Sequence, residues 1–147
     1  MSHSGSCICG AVTFTVTEPI TETGACHCGM CRKWSGGVFL GVRVPKGGIK
    51  IEGADNLTVY TSSAWAERAF CKTCGSSIFY RVTAPGPMNG EMHVGLGTLS
   101  DASGIPLTGE IYIDLKPDGY AFAGEGLHQM TEAEVVEMFS APPDVHS

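Results

Sequence analysis

The residues with the clearest chemical potential in this 147-residue chain are its seven cysteines, which all lie in tight groups. The groups are Cys7-Ile8-Cys9, Cys26-His27-Cys28-Gly29-Met30-Cys31 and Cys71-Lys72-Thr73-Cys74. An odd number of cysteines cannot pair completely as internal disulfides, and disulfides are rare in reducing compartments. Thiols clustered at these spacings are typical of metal sites. The sequence therefore predicts that the cysteines bind metal ions.

The first and last groups together offer four thiolates to one ion. The Cys71–Cys74 loop can curl so that both sulfurs face one point, and Gly75 permits a positive φ directly after it. The pair Cys7 and Cys9 can chelate from a single turn. Four thiolates in a closed tetrahedron are the usual form of structural zinc. A redox dithiol and simple burial of small cysteines are the alternatives, but a redox motif is expected beside a βαβ pattern, which this sequence does not show.

The middle group, Cys26, Cys28 and Cys31, offers three thiolates within six residues. Ligands this close together can bind only the same ion, and no cysteine remains to be a fourth ligand. Three protein ligands with one open position are the arrangement of a catalytic zinc. Two alternatives stay open: a site closed by a histidine, such as His93 or His128, and a group that holds no stable metal.

An open zinc site with three thiolates favours thiol chemistry. The three negative charges outweigh that of the ion, which weakens zinc as a Lewis acid. Such a soft site favours an incoming thiolate over the activation of water. Binding lowers the pKa of a thiol and leaves a thiolate that can attack a carbonyl carbon. The site therefore predicts addition of a thiol to a carbonyl compound, or the reverse carbon–sulfur cleavage.

The elements that must position these cysteines are short strands. Alternating apolar and polar residues predict strands at Ala11–Val16, Val38–Val44, Leu57–Tyr60, Trp65–Phe70, Ser77–Val82, Met92–Leu99 and Gly109–Leu115. A helix is predicted only near the end, where Thr131 and Glu134 form a capping box and Ala141-Pro142-Pro143 ends the helix. Many short strands with glycine-rich turns and one terminal helix indicate an all-β, sandwich-like fold.

Composition excludes several classes of protein. With 43% hydrophobic and 16% charged residues, the chain is not a disordered one. A formal net charge of −6 leaves no general basic surface for a phosphate backbone, so nucleic acid is not an expected partner. No apolar run approaches the roughly 18 residues of a membrane span, and no signal peptide is visible, so we expect a cytoplasmic protein. The length fits a single domain over residues 1–147.

Three cysteine-containing segments carry a family resemblance that spans nearly the whole chain. They are Ser6–Val12, Cys26–Lys33 and Phe70–Ser76, and a later segment, Ile111–Ile113 followed by Lys116-Pro117, agrees more loosely. Together they resemble the glutathione-dependent formaldehyde-activating enzyme family, also called the CENP-V/GFA domain. All seven cysteines fall where the family pattern has them.

The resemblance implies an Mss4-like β-sandwich with zinc knuckles and two zinc ions per chain. The structural zinc would be held by Cys7, Cys9, Cys71 and Cys74. The catalytic zinc would be held by Cys26, Cys28 and Cys31. The implied activity is the condensation of glutathione with formaldehyde to S-hydroxymethylglutathione, classed as a carbon–sulfur lyase reaction. The implied partners are therefore a thiol such as glutathione and an aldehyde.

Other residues near the middle cysteines carry weaker predictions, each with an alternative. Arg32 and Lys33 could meet the carboxylates of glutathione, or form an ordinary solvated basic pair. Trp34 and Phe39 could wall the site, although an aromatic residue beside a strand belongs more often to the core. His27 could hydrogen-bond a bound thiol or shuttle a proton, or be a supporting or exposed histidine.

Two other functions compete with this interpretation. The first is a zinc-stabilised binding module without catalysis, since the related Mss4 fold also serves as a protein-interaction domain. The missing fourth ligand of the middle group argues against it. The second is a thiol-redox protein, which would form reversible disulfides in its Cys-x-x-Cys pairs. The sequence favours an enzyme that acts on a thiol adduct.

Overall fold

The computed structural model describes residues 2–140, which form two compact units. Among these residues, unit 1 consists of residues 2–23 and 40–106, and unit 2 consists of residues 24–39 and 107–140. The predicted helix end at Ala141-Pro142-Pro143 lies outside the described residues. That residues 1–147 fold as a single domain stays a prediction.

Short strands make up most of the regular structure. In chain order they are β1 (His3–Ser6), β2 (Thr13–Val16), β3 (Thr23–Cys26), β4 (Phe39–Val44), β5 (Ile49–Glu52), β6 (Leu57–Thr61), β7 (Ala66–Cys71), β8 (Ser77–Val82), β9 (Met92–Gly95), β10 (Leu107–Ile111) and β11 (His128–Met130). The helices are α1 (Gly29–Ser35) and α2 (Glu132–Ser140), and short 3-10 turns cover Ala54–Asn56, Leu96–Thr98 and Ile113–Leu115. The predicted mainly-β fold with a short C-terminal helix is confirmed. The expectation of a helix only near the end is wrong, because α1 also forms, with Cys28 as its N-cap.

Unit 1 contains two antiparallel arrays of strands. One is a sheet in the order β1-β2-β5, and the other runs β4-β9-β8-β7-β6. The predicted hairpin of Leu57–Tyr60 and Trp65–Phe70 is formed by β6 and β7, in which Leu57 pairs with Cys71. The last residue of β7, Cys71, is therefore held by its pairing with Leu57 in β6 and by donating its N–H to the Ser76 carbonyl at 2.9 Å.

The two arrays of unit 1 share one hydrophobic core, as in the predicted sandwich. Alternate residues of β2 point into it, so Phe14 and Val16 are buried while the threonines between them are only half-buried. The other large contributors to this core are Val12, Val42, Val44, Ile78, Phe79, Met92, Val94 and Leu99. Cys7 and Cys71 belong to the same cluster. Two predicted zinc ligands are therefore part of the packed interior.

Two strands end earlier than the apolar pattern predicts. The predicted strand Gly109–Leu115 ends at Ile111, because Tyr112 adopts φ 56° and ψ 43°, a left-handed conformation outside the β region. The predicted strand Met92–Leu99 ends at Gly95, where a 3-10 turn begins. In both cases apolar residues continue through the turn, so alternation alone could not show where the strand stops.

Unit 2 combines strands in the order β11-β10-β3 with both α-helices, and β10 and β11 run parallel. Helix α2 has the predicted capping box. The Thr131 N–H donates to Glu134 Oε1 at 2.9 Å, and the Glu134 N–H donates to Thr131 Oγ1 at 3.3 Å. Val135, which is 1% exposed, anchors the helix. Within residues 2–140, no helix is long and apolar enough to cross a membrane.

Candidate metal centres

Unit 1 brings together the four cysteines predicted to hold a structural zinc. In this four-thiol group (Cys7, Cys9, Cys71 and Cys74) all sulfurs lie within 4.8 Å of one another. Cys9 Sγ is 3.6 Å from Cys7 Sγ and 3.8 Å from Cys71 Sγ. A zinc–sulfur bond of about 2.3 Å gives a tetrahedron with edges of about 3.8 Å. The spacing of the sulfurs therefore fits a zinc ion.

Each half of the four-thiol group is a tight turn closed by glycine. Gly10 and Gly75 both have φ near 80°, a conformation that favours glycine. The Gly75 N–H donates to the Cys71 carbonyl at 2.7 Å, and the Val12 N–H donates to Cys7 Sγ at 3.3 Å. These bonds hold both turns in the conformation that brings the sulfurs together. The glycines after Cys9 and Cys74 therefore serve the turns and not the metal itself.

Ser76, which no local pattern in the sequence marks, joins the two halves of the four-thiol group. Its Oγ accepts a hydrogen bond from the Ile8 N–H at 3.0 Å and lies 3.2 Å from Cys74 Sγ. Hydrogen bonds from the side chain and the backbone of Ser76 lower the pKa of Cys74 to about 5. Cys74 is therefore prepared as a thiolate ligand.

The thiols of this group do not ionise independently. The Ala11 N–H favours the Cys9 thiolate, but burial and the neighbouring thiols outweigh it and raise the pKa of Cys9 to about 11. A second negative charge beside an existing thiolate is opposed by repulsion. A divalent cation removes this opposition, because four thiolates can then share its charge. Both the charges and the spacing of the four thiols therefore fit a divalent metal ion.

Unit 2 brings together the other three cysteines, where β3 leads into α1. In this three-thiol group (Cys26, Cys28 and Cys31) all sulfurs lie within 4.8 Å of one another. Cys26 is the last residue of β3, and Cys28 caps α1 by accepting a hydrogen bond from the Cys31 N–H at 3.3 Å. Cys31 is buried, whereas Cys26 and Cys28 are half-buried. The group therefore has a closed side and an accessible side.

The ligand atoms in this group are thiols alone. Among the described residues, no histidine or carboxylate atom joins the three sulfurs within 4.8 Å. The neighbouring Cys28 and Cys31 thiols raise the pKa of Cys26, and burial raises it further. Three soft sulfur donors that ionise together only when a cation neutralises them suit zinc. The three thiols fit a zinc ion, and residues 2–140 supply no fourth ligand atom for the remaining tetrahedral position.

His27 lies between two of these cysteines but is engaged elsewhere. It is 1% exposed, and its Nε2 is 2.8 Å from Oε1 of the buried Glu110. The other carboxylate oxygen of Glu110 accepts a hydrogen bond from Gln129 Nε2 at 2.9 Å, and the His27 N–H donates to the Ile111 carbonyl at 3.1 Å. His27 therefore fixes the three-thiol loop onto β10. Glu110 could not be identified from the sequence, because nothing near it in the chain marks its distant partner.

We expect the Glu110→Ala variant to be destabilised by about 3 kcal/mol or more, since it leaves the buried His27 and the Gln129 amide without an acceptor. Glu110→Gln keeps one acceptor oxygen and should lose less. Urea unfolding of both variants, with Glu125→Ala as an exposed acidic control, measures the effect. A Glu110→Ala variant as stable as the control would show that the hydrogen bonds of Glu110 do not hold the loop of the three-thiol group.

The remaining predicted residues lie in or beside α1. Arg32 and Lys33 are exposed on the helix. The rings of Trp34 and Phe39 are 5.3 Å apart, and Phe39 is buried, so this aromatic pair packs as part of the interior of unit 2. The core alternative is therefore the better description of Phe39.

Tyr112 has an unusual backbone beside the three-thiol group. Within residues 2–140 it is the one non-glycine residue with a positive φ, which costs a side chain bearing a Cβ about 1–2 kcal/mol. It follows Ile111, whose carbonyl holds the His27 N–H, and its own carbonyl accepts the Leu115 N–H at 3.0 Å. Burial raises the pKa of the Tyr112 phenol, and the negative charges of the three-thiol group, that of Cys28 foremost, raise it further.

The chain is thus mainly β and carries a four-thiol and a three-thiol group, each of which could hold a metal ion. Residues 2–114 match the family described as glutathione-dependent formaldehyde-activating enzyme. The chain belongs to this family. The predictions of the family and of an enzyme are thereby confirmed.

Individual relatives agree with this membership. An uncharacterized lyase of Schizosaccharomyces pombe is 29% identical over 84% of this chain and 87% of its own length. A Halomonas elongata protein, provisionally named a glutathione-dependent formaldehyde-activating enzyme, is 31% identical over 54% of this chain and 55% of its own length. A crystal structure of a Rhodobacter sphaeroides protein, 25% identical, superposes with a TM-score of 0.55 over 71% of this chain and 99% of that chain. The chain thus spans most of the first relative but about half of the second.

Proposed function

We propose that this protein is a zinc-dependent carbon–sulfur lyase acting on the adduct of a thiol, glutathione first, with an aldehyde. The reaction named by the family is the formation of S-hydroxymethylglutathione. The observation that carries the proposal is the three-thiol group, whose described ligand atoms leave one position for a substrate thiol. Family membership and the lyase name of the Schizosaccharomyces pombe relative support the same reaction class.

The proposal assigns one zinc ion to each group of thiols. Cys7, Cys9, Cys71 and Cys74 would hold a structural ion, supported by sulfur spacings that fit a closed tetrahedron. Cys26, Cys28 and Cys31 would hold the catalytic ion. When bound there, zinc would lower the pKa of an incoming thiol and keep it as a thiolate at neutral pH.

Residues of the chain hold the three-thiol group in place and leave it open to the substrate. The half-buried Cys26 and Cys28 leave a side through which a tripeptide thiol can approach, whereas Cys31 is buried behind them. His27, fixed by Glu110, keeps the loop between the first two ligands in place. In the forward direction the thiol sulfur forms a bond with the aldehyde carbon, and the thiol proton ends on the carbonyl oxygen as a hydroxyl. In reverse the carbon–sulfur bond breaks and the proton returns to sulfur.

The proposed setting is a reducing compartment, the cytoplasm. The described residues contain all seven cysteines, and none of them forms a disulfide. The proposed partners are a small-molecule thiol and an aldehyde. The acidic balance of the chain, −6, does not favour nucleic acid.

The experiment that tests this function compares glutathione with S-methylglutathione across pH. A thiol that binds as a thiolate must release its proton, so the affinity of the zinc-loaded protein for glutathione should rise about tenfold per pH unit below the thiol pKa of roughly 8.5. S-Methylglutathione has the same carboxylates and no ionisable thiol, so it should bind much more weakly at every pH. Isothermal titration between about pH 6.5 and 8.5 measures both affinities.

Equal affinities for the two compounds would show that recognition rests on the carboxylates and that the metal does not take the sulfur. A cobalt-substituted protein gives an independent check, because a fourth thiolate changes the spectrum of the ion. No spectral change with glutathione would favour the alternative function, a zinc-stabilised binding module without catalysis.

A further inference from the structure

The backbone of Tyr112 is more strained than its turn requires. Its carbonyl accepts the Leu115 N–H and so starts a 3-10 turn directly after β10. Glycine would adopt the same φ of 56° without strain, and asparagine with little. A bulky aromatic residue at such a position indicates that its side chain is needed there, since strained residues concentrate at functional sites.

Tyr112 follows directly after a residue that holds the loop of the three-thiol group, within the same unit. The preceding residue, Ile111, accepts the N–H of His27, which lies between the ligands Cys26 and Cys28. Tyr112 is therefore the first residue to leave β10 at the point where that strand holds the ligand loop. Its side chain is half-buried, so it is partly ordered by packing and partly open to a ligand.

The chemistry of a phenol suits the reaction proposed for this site. A phenol ordinarily has a pKa of about 10, and burial raises that of Tyr112, so its hydroxyl keeps its proton at neutral pH. A neutral hydroxyl can donate a hydrogen bond where negative charge develops. In the addition of a thiolate to an aldehyde, that charge develops on the carbonyl oxygen.

We propose that Tyr112 is a catalytic residue whose hydroxyl donates a hydrogen bond to the aldehyde-derived oxygen of the adduct. This inference rests on the proposed function, because the oxygen exists only in that adduct. The hydroxyl would stabilise the oxygen anion as the carbon–sulfur bond forms, and would hold the resulting hydroxyl group of the product. The Tyr112 hydroxyl takes no part in binding the thiol part of the substrate.

The test uses two substitutions that separate the hydroxyl from the strain. Tyr112→Phe keeps the ring and the strained backbone and loses only the hydroxyl, so it should fold normally, retain its zinc and bind glutathione unchanged. Its kcat/KM for adduct formation should fall by about 10²-fold, the scale for one lost oxyanion donor. Tyr112→Gly should lose as much activity while its melting temperature stays level or rises. Tyr60→Phe, on an exposed tyrosine of unit 1, is the matched control.

A binding measurement gives a readout apart from catalysis. The protein is titrated with glutathione alone and with glutathione preincubated with excess formaldehyde. The parent should bind the adduct more tightly than glutathione, and the Tyr112→Phe variant should bind the two with equal affinity. If the parent converts the adduct and the Tyr112→Phe variant is equally active, the proposed role of Tyr112 is wrong and the proposed function stands. A parent that neither binds nor converts any adduct would overturn the proposed function, and the role of Tyr112 with it. A Tyr112→Gly variant that melts far below the parent would show that the ring is structural.

Discussion

The Cys74→Ser variant should fail to reach the native fold. A serine hydroxyl is a poor zinc ligand at neutral pH, so the four-thiol group would lose its ion. Structural zinc contributes about 10–16 kcal/mol in small zinc domains, against a total stability of about 5–15 kcal/mol for most domains. Cys7 and Cys71 also belong to the hydrophobic core of unit 1, so loss of the ion removes a cross-link between distant segments within that core. We expect an insoluble or molten protein.

Far-ultraviolet circular dichroism and a thermal melt of the soluble fraction measure this outcome. Thr73→Ser is the matched control, because Thr73 is exposed in the same loop and has no predicted ligand role. A Cys74→Ser protein that melts like this control would show that the four-thiol group does not brace the fold, and the assignment of a structural zinc would be wrong.

The four-thiol group is a part of the molecule that the sequence predicts well. Cysteine pairs followed by glycine indicate a turn and a ligand pair from local spacing alone, and Gly10 and Gly75 adopt the positive φ that such turns need. The strand β2 is equally predictable, because buried and half-buried positions alternate along it. In β7 the alternation breaks where Arg68 and Ala69 are both buried, next to a register shift against β8.

Other elements could not be predicted because their structure comes from partners far away in the chain. The four residues of β1, His-Ser-Gly-Ser, have no apolar alternation and form a strand only by pairing with β2. Ser76 contacts Ile8 across 68 residues, and His27 contacts Glu110 across 83 residues. The strain at Tyr112 depends on the turn that follows β10. A local pattern contains none of these relations.

The Cys28→Ser variant should behave in the opposite way to Cys74→Ser, with the fold intact and the activity gone. Cys28 has two separable roles. Its sulfur belongs to the three-thiol group, and it also caps α1 by accepting the Cys31 N–H at 3.3 Å. Serine is a strong helix N-cap, so the substitution removes the metal ligand and keeps the cap. Circular dichroism and the melting temperature should stay near those of the parent.

The metal content and the activity should change sharply in the same variant. Native mass spectrometry should find about one zinc ion per chain instead of two, because the four-thiol group is untouched. Changes to residues that only support metal ligands cost about 10–100-fold in metal affinity or activity, so loss of a ligand should reduce kcat/KM by more than about 100-fold. Glutathione should also lose its pH-dependent binding. Met30→Leu, an exposed residue of the same helix, is the control that should retain both ions.

The comparison of the two serine variants separates the enzyme from the binding module. If both metal sites only brace the fold, Cys28→Ser and Cys74→Ser should destabilise the protein to a similar degree, and neither loss would be specific to glutathione. If the three-thiol group is the catalytic site, the two variants should differ in melting temperature while both lack activity. A Cys28→Ser protein that unfolds with Cys74→Ser would therefore contradict the open site. A folded Cys28→Ser protein that still converts the glutathione–formaldehyde adduct at the parental rate would place the chemistry outside the three thiols.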